Sequence, residues 1–138
     1  MKHVSLIILR DNHRLLMHLR DDKPTIPYPN YWALIGGGIE ENETAYDALR
    51  REIEEEISSD VKNIRKIEEI VLMNDPEPNC RDQRIFLYQG EIEKDIKDIN
   101  LTEGQRLGYF TFPEFRDLKV PPVIKKHIMD NYREISRI

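Results

Sequence analysis

The sequence has little of three features that mark common protein classes: cysteine, long apolar runs and excess positive charge. A single cysteine, Cys80, excludes a disulfide within these residues and is typical of a reducing compartment. No apolar run approaches the roughly 20 residues that a membrane-spanning helix needs. The short apolar run near the start is followed by Arg10 and Asp11 rather than by a small-residue cleavage site. We therefore expect a cytoplasmic protein without a membrane segment.

The charge balance limits the partners further. The 138 residues carry a formal net charge of −5, which argues against nucleic-acid binding, because that function normally needs a basic surface. A small anionic ligand is still compatible with an acidic chain if a cation bridges the two. The length predicts one domain over residues 1–138, and the 34% of charged residues predict a globular chain with a densely charged surface.

The first third of the chain predicts a hairpin, a loop and a short strand. Two runs rich in apolar residues, 3–9 and 13–20, lie on either side of Asp11-Asn12. This pair favours a tight turn between two central strands. Residues 21–30 contain three prolines and predict a loop. Residues 31–35 then predict a short strand that runs directly into Gly36-Gly37-Gly38.

A helix is predicted after the glycines. Thr44 followed by Asp47 resembles a capping box, with Asp in place of Glu or Gln, and indicates where the helix begins. A buried stripe over about four turns follows from the helical spacing of Ala45, Ala48, Leu49, Ile53 and Ile57.

The remaining chain predicts further strands and a last helix. Residues 63–73 suit a strand or a continued helix by periodicity alone, and we favour the strand. The other predicted elements are a polar loop over 74–82, strands over 83–92 and 107–112, a charged connection over 94–103, a turn or short helix from Pro113, and a helix opened by Pro121-Pro122 whose apolar positions include Tyr132 and Ile135.

The acidic side chains of the first helix predict a metal site. Helical spacing places Glu52, Glu55 and Glu56 on one face, where carboxylates repel one another unless a cation lies among them. Arg51 is one such cation, and Mg²⁺ or Mn²⁺ is another, since both ions prefer hard oxygen ligands. An isolated helix of this kind is more often a solvated surface with ion pairs. The preceding glycines favour the metal site, because they let the backbone approach a metal-bound phosphate.

The same residues resemble the Nudix box of the Nudix hydrolases, over residues 37–59. The matching positions are Gly37, Glu43 after five residues, Arg51-Glu52-Ile53 after seven, and Glu55-Glu56 after one more. Ser58 and Ser59 depart from the family's terminal glycine and aliphatic residue, which points to a changed helix exit. Asn42 stands where many members have glycine, and asparagine tolerates the same left-handed backbone.

The resemblance implies an α/β Nudix fold, an α/β/α sandwich around a mixed sheet. It also implies a Mg²⁺- or Mn²⁺-dependent pyrophosphohydrolase that cleaves a nucleoside diphosphate linked to another group, with nucleoside triphosphates or oxidised nucleotides favoured. Glu52, Glu55 and Glu56 would bind the metal together with the carbonyl of Gly37. The pair Glu43 and Arg51 would orient the site. The general base would be a glutamate of the box, such as Glu55, or the later-loop acid Glu103.

Substrate choice is left open by the sequence. Tyr31 and Trp32, with Tyr28, are candidates for base stacking, although Trp32 suits a core position equally well. Arg84 is a candidate phosphate ligand or an ordinary surface charge. The alternatives are a nucleotide-sugar or ADP-ribose pyrophosphatase, and a non-catalytic ligand sensor or interaction module. A homodimer is common in the family.

Overall fold

A computed structural model of the protein describes residues 1–101 and 104–131, and they form a mixed β-sheet with helices on both faces. The strands are β1 Lys2–Asp11, β2 Arg14–Leu19, β3 Trp32–Ala33, β4 Ile35–Gly38, β5 Lys62–Leu72, β6 Gln83–Glu91 and β7 Arg106–Thr111. The helices are α1 Ala45–Ile57, α2 Phe112–Arg116 and α3 Pro122–Asp130, with a short 3-10 helix at Ile96–Asp98.

Strand β1 is the centre of the sheet and is buried on both faces. Side chains alternate along a strand, so Ile7 and Leu9 pack into one core while Ile8 packs into the other. All three are at most 1% exposed. Burying an aliphatic side chain of this size stabilises the fold by about 1.5–3 kcal/mol relative to leaving it in water.

The partners of β1 differ along its length. Strand β6 pairs with it in parallel over nine registered positions, from Lys2 to Arg10, and makes the sheet mixed. On the other edge, β4 pairs antiparallel with Val4 to Ile7, and β2 pairs antiparallel with Leu9 to Asp11. The predicted hairpin of two central strands is therefore confirmed, and its first strand also carries the glycine segment.

The helices form one layer on each face of the sheet. Helix α1 contributes Leu49, Ile53 and Ile57 to the core that contains Ile7. The opposite core contains Ile8, together with Phe112 and Phe115 from α2 and Ile124 and Ile128 from α3. These two layers confirm the predicted α/β/α sandwich.

The ends of α1 confirm the predicted start and show how the helix closes. The Thr44 hydroxyl accepts a hydrogen bond of 3.0 Å from the backbone N–H of Asp47. Ser58 takes a left-handed conformation with φ of 45° as the C-cap, which is the conformation usually supplied by glycine. Its hydroxyl donates to the Glu54 carbonyl at 2.8 Å. Asn42 is also left-handed, with φ of 68°.

The glycine run was predicted to lie between a strand and the helix, and this was wrong. Residues 35–38 are themselves strand β4, and the predicted strand over 31–35 is broken at Leu34 into two strands with different partners. Gly36 passes so close to β1 that an added Cβ would lie 2.1 Å from the Ser5 carbonyl oxygen. Glycine is therefore required for the strand pairing itself.

Most of the other predicted elements are confirmed to within one or two residues. They are the loop over 21–30, β5, the loop over 74–82, β6, β7, the short helix α2 and the start of α3. The short 3-10 helix Ile96–Asp98, which follows β6, was not predicted. Tyr132 and Ile135 of the predicted last helix lie outside the described residues. Among those that are described, no helix is both long enough and apolar enough to cross a bilayer.

Gly36 and Gly38 give a matched pair for testing the strand contact. We expect Gly36→Ala to lower the free energy of unfolding by about 3 kcal/mol, because its Cβ would meet the backbone of β1 at a positive φ of 145°. Gly38→Ala would place its Cβ 3.6 Å from the end of the Lys2 side chain and should change stability by less than about 1 kcal/mol. Urea unfolding of both variants measures the difference. Equal losses would contradict the close approach at Gly36.

Candidate active site

The buried carboxylate of Glu56 joins α1 to the glycine strand. Glu56 is 2% exposed, and its Oε2 accepts a hydrogen bond of 3.0 Å from the backbone N–H of Gly36. It lies beside the buried stripe of α1, one turn after Ile53. A buried carboxylate is costly unless it is hydrogen-bonded or paired, so this contact helps to hold an acid at the centre of the fold.

Glu52 lies against the next glycine of the same strand. A Cβ added to Gly37 would be 2.6 Å from the Cδ and the Oε1 of Glu52. Any side chain at position 37 would therefore push this carboxylate out of place. The side chain of Glu52 is 13% exposed, so its oxygens are enclosed without being fully removed from water.

Arg51 organises the acids around itself. Its guanidinium binds Glu43 through two hydrogen bonds, from Nε at 2.8 Å and from Nη2 at 2.9 Å. Nη2 also donates to the Gly38 carbonyl at 3.0 Å, while Nη1 donates to Glu52 at 3.0 Å and to Glu55 at 3.3 Å. One planar donor group thus connects β4, the turn before α1 and the acidic face of α1.

These contacts change the acidity of both members of the central pair. The hydrogen bonds from Arg51, followed by that from the Glu40 backbone, lower the pKa of Glu43 to about 2. The hydrogen bond to Glu43 is the main cause that raises the pKa of Arg51 above its ordinary value. The pair is consequently charged on both sides throughout the neutral range.

The donor atoms are of the kind that suits a hard divalent cation. Glu52, Glu55 and Glu56 together offer only carboxylate oxygens, and the Gly37 backbone runs beside Glu52. Among residues 1–101 and 104–131, no three acidic, histidine or cysteine side chains already stand in a metal-binding arrangement. Arg51 instead bridges Glu52 and Glu55, whose side chain is 59% exposed. An ion shared by the three acids would therefore lie beside a guanidinium that already contacts two of them.

A cavity of about 210 Å³ opens beside this site. Gly36, Gly37, Gly38 and Glu56 line it on the side of the acids. Polar and basic side chains that line it are Lys2, His18, Arg20 and Gln83, and apolar ones include Val4, Leu6, Leu34, Ile85 and Ile124. A mainly apolar pocket with a few polar groups is typical of a small-molecule site.

The residues predicted to bind substrate are divided, because Tyr28 lines this cavity and the others do not. Tyr31, Trp32 and Arg84 are not among the described residues that line this cavity. Trp32 packs edge-to-face on Phe110 with ring centres 4.7 Å apart, and it extends the core on the α3 side of the sheet. Arg84 pairs with Glu69 at 3.3 Å across β5 and β6. Their binding roles stay predictions that this cavity does not support, while Glu103 lies outside the described residues.

Several lining residues were missed by sequence reasoning. Lys2, Val4 and Leu6 are alternate residues of β1, so they share one face of the strand, and all three line the cavity. Their two-residue spacing would have indicated the shared face, but not that this face borders a cavity. His18 and Arg20 follow the same period at the end of β2 and beyond it. Their shared face is set by pairing with distant strands, which local patterns do not report.

Comparisons with known proteins are consistent with this geometry. The sequence profile described as the NUDIX domain matches residues 1–131. The nucleoside triphosphatase NudI of Escherichia fergusonii is 47% identical over 54 residues, which are 39% of this chain and 37% of that relative. The aligned part of the chain thus spans less than two fifths of the curated relative's length.

Solved structures share the whole fold. The MutT protein from Methanosarcina mazei Go1 superposes with a TM-score of 0.77 at 15% identity, covering 96% of this chain and 94% of that one. A NUDIX hydrolase from Nitrosomonas europaea superposes with a TM-score of 0.77 at 17% identity, covering 97% and 90%. At such identities the likeness concerns the fold alone.

The Glu43–Arg51 pair predicts a pH dependence of stability. The pKa of Glu43 falls from an ordinary 4.5 to about 2 in the folded chain, so the unfolded chain takes up the proton first as pH falls. The stabilisation is complete above about pH 4.5 and is lost between there and about pH 2. We expect Glu43→Gln to be less stable than the unaltered chain near neutral pH, with the difference shrinking towards about pH 2. Urea unfolding without divalent ions measures it, and a difference independent of pH would contradict the pairing.

Proposed function

Because the chain belongs to the Nudix family, whose profile matches residues 1–131, we propose that it is a Mg²⁺-dependent pyrophosphohydrolase acting on a nucleoside triphosphate. The observation that carries this proposal is the Arg51 network, which places Glu52, Glu55 and the glycine strand together. A surface helix stabilised only by ion pairs would not need a glycine at position 37 to make room for one of its acids.

We assign metal binding to Glu52, Glu55 and Glu56, with the carbonyl of Gly37. When bound, Mg²⁺ or Mn²⁺ would neutralise the pyrophosphate and lower the pKa of a bound water. Arg51 and Glu43 are the orienting pair, because the fork of hydrogen bonds between them holds the guanidinium against β4 and α1. The long, charged side chains of the acidic face are thereby held close to one another before substrate arrives.

For the general base we propose Glu55, with Glu103 as the alternative from the later loop. The Glu55 carboxylate is the most exposed of the three acids, at 59%, so it is open to water while it stays near Arg51. A base must reach the proton that it removes, directly or through one water molecule. Glu56 is buried against Gly36 and is better suited to a fixed ligand role.

The cavity beside β4 is the proposed nucleoside site. Its apolar walls suit a base, and Lys2 and Arg20, which both line it, supply positive charge for the phosphates. The name of the relative, a nucleoside triphosphatase, supports this substrate class over a nucleotide sugar. We also propose one domain over residues 1–138, since both described cores lie on a single sheet. The homodimer and the cytoplasmic location stay predictions.

A substrate panel tests the proposal directly. We expect hydrolysis of nucleoside triphosphates to need added Mg²⁺ or Mn²⁺, to stop with a chelator and to return when the metal is restored. Separate measurement of nucleoside monophosphate, nucleoside diphosphate, phosphate and pyrophosphate identifies the phosphorus that is attacked. Metal-dependent hydrolysis of nucleotide sugars alone would overturn the substrate class. A chain that binds nucleotide without any turnover would favour the non-catalytic sensor.

The acidic face gives a matched set of variants. Glu55→Gln and Glu56→Gln should each lower kcat by about 100-fold or more, because each removes a charged ligand from the proposed metal site. The control is Glu54→Gln, which changes the exposed acid that directly precedes them and should leave kcat within about twofold. Calorimetric titration with Mg²⁺ gives a second measurement that does not depend on turnover. Undiminished hydrolysis and Mg²⁺ binding in both variants would refute the assignment.

A further inference from the structure

Two loops that are far apart in the sequence meet beside the cavity through Tyr28. The first is the loop over 21–30, between β2 and β3, and the second is the loop over 74–82, between β5 and β6. The Tyr28 hydroxyl lies 2.8 Å from Oδ1 and 2.7 Å from Oδ2 of Asp75. The backbone N–H of the same tyrosine donates to Oε2 of Glu77. One residue is therefore held through both its main chain and its side chain.

The second loop is arranged to receive these contacts. Oδ1 of Asp75 also accepts a hydrogen bond of 2.8 Å from the backbone N–H of Glu77, so the two acids are held in one turn. Asn79 Nδ2 donates to the Pro24 carbonyl at 3.0 Å and adds a second connection between the loops. We name the contacts of Tyr28 with Asp75 and Glu77 the tyrosine clasp.

The backbone of Tyr28 takes a conformation that is unusual for its residue type. It is 9% exposed and has a φ of 52°, a left-handed conformation that is uncommon for an aromatic residue. Such a conformation persists where surrounding contacts hold it, and it is concentrated at functional sites. Burial and the hydrogen bond to Asp75 raise the pKa of Tyr28 above its ordinary value, so the hydroxyl keeps its proton and remains a donor.

The clasp also forms part of the cavity wall. Pro27 and Tyr28 line the cavity from the first loop and Cys80 lines it from the second, and Gly37 and Glu56 line the same cavity. The contacts that join the two loops therefore fix the relative position of the residues that both loops contribute to this wall. The hydroxyl of Tyr28 is engaged with Asp75, so its effect on a ligand would act through the position of the loops.

We propose that Tyr28 is a positioning residue for substrate specificity, and that the tyrosine clasp fixes the width of the nucleoside site by joining the two loops. This inference rests on the proposed nucleoside triphosphate hydrolysis. It concerns affinity for the nucleoside rather than the chemical step, because the clasp does not include the acids around Arg51.

The test compares Tyr28→Phe with a matched control, Tyr109→Phe. The control also removes one tyrosine hydroxyl, which donates to the Lys94 carbonyl at 2.8 Å, but Tyr109 is not among the described residues that line the cavity. We expect Tyr28→Phe to raise KM for the preferred nucleoside triphosphate about tenfold, with kcat within about twofold. Tyr109→Phe should lower thermal stability and leave KM unchanged.

Hydrogen exchange tests the clasp without turnover. In Tyr28→Phe, backbone amides in both 21–30 and 74–82 should exchange faster than in the unaltered chain and in Tyr109→Phe. A double variant of Tyr28→Phe with Asp75→Asn should raise KM no more than the stronger single variant, because both remove the same connection.

The outcomes separate the inference from the proposed function. Faster exchange with unchanged KM overturns the positioning role, and unchanged exchange in 74–82 overturns the clasp. A large fall in kcat at constant KM would place Tyr28 in the chemistry and would also overturn the inference. If the unaltered chain hydrolyses no nucleoside triphosphate, the proposed activity fails, and calorimetry with a non-hydrolysable analogue compares the same variants. Equal affinity of Tyr28→Phe and the unaltered chain for that analogue, or no binding by either, then overturns the positioning role.

Discussion

The guanidinium of Arg51 is held between the glycine strand and the acidic face of α1, and the geometry of the candidate site depends on that placement. It donates to a backbone carbonyl of β4 and to three glutamates, which brings the strand, the turn before α1 and the helix into one charged unit. A lysine would offer a single ammonium in place of the planar fork that binds Glu43 through two hydrogen bonds. Without this cation, Glu52 and Glu55 would be neighbouring like charges that lack the guanidinium pairing them.

The sheet determines where that unit stands. Because β1 is buried on both faces, it carries α1 on one side and α2 and α3 on the other, while its edge binds β4. The acids and the cavity thus meet at β4. Helix α1 supplies the acids, while strand ends and loops form the cavity. In the proposed function, reaction chemistry and substrate choice are consequently carried by different parts of the chain. The tyrosine clasp belongs to the second part, since it joins two loops that hold none of the box acids.

Sequence patterns predicted the elements whose causes are local. The cap at Thr44, the buried stripe of α1 and the left-handed Asn42 follow from side chains and their near neighbours. The glycine run was predicted wrongly, because glycine is a poor strand former and its pairing with β1 is a contact across some thirty residues of sequence. The position of Trp32 could not be predicted for the same reason, because its packing on Phe110 is a contact with a strand much later in the chain.

The family, the acidic helix and the residue types that suit a metal and a phosphate could all be predicted from the residues alone, because they depend on fixed spacing within one continuous segment. Ser58 shows that the departure at the helix exit keeps the left-handed geometry. Three features became visible only in the folded chain: the glycines form a strand, Lys2 and Arg20 line the cavity, and the Tyr28 hydroxyl contacts Asp75. Local patterns do not report them, because these contacts join strands and loops whose register is set by the packing of the whole sheet.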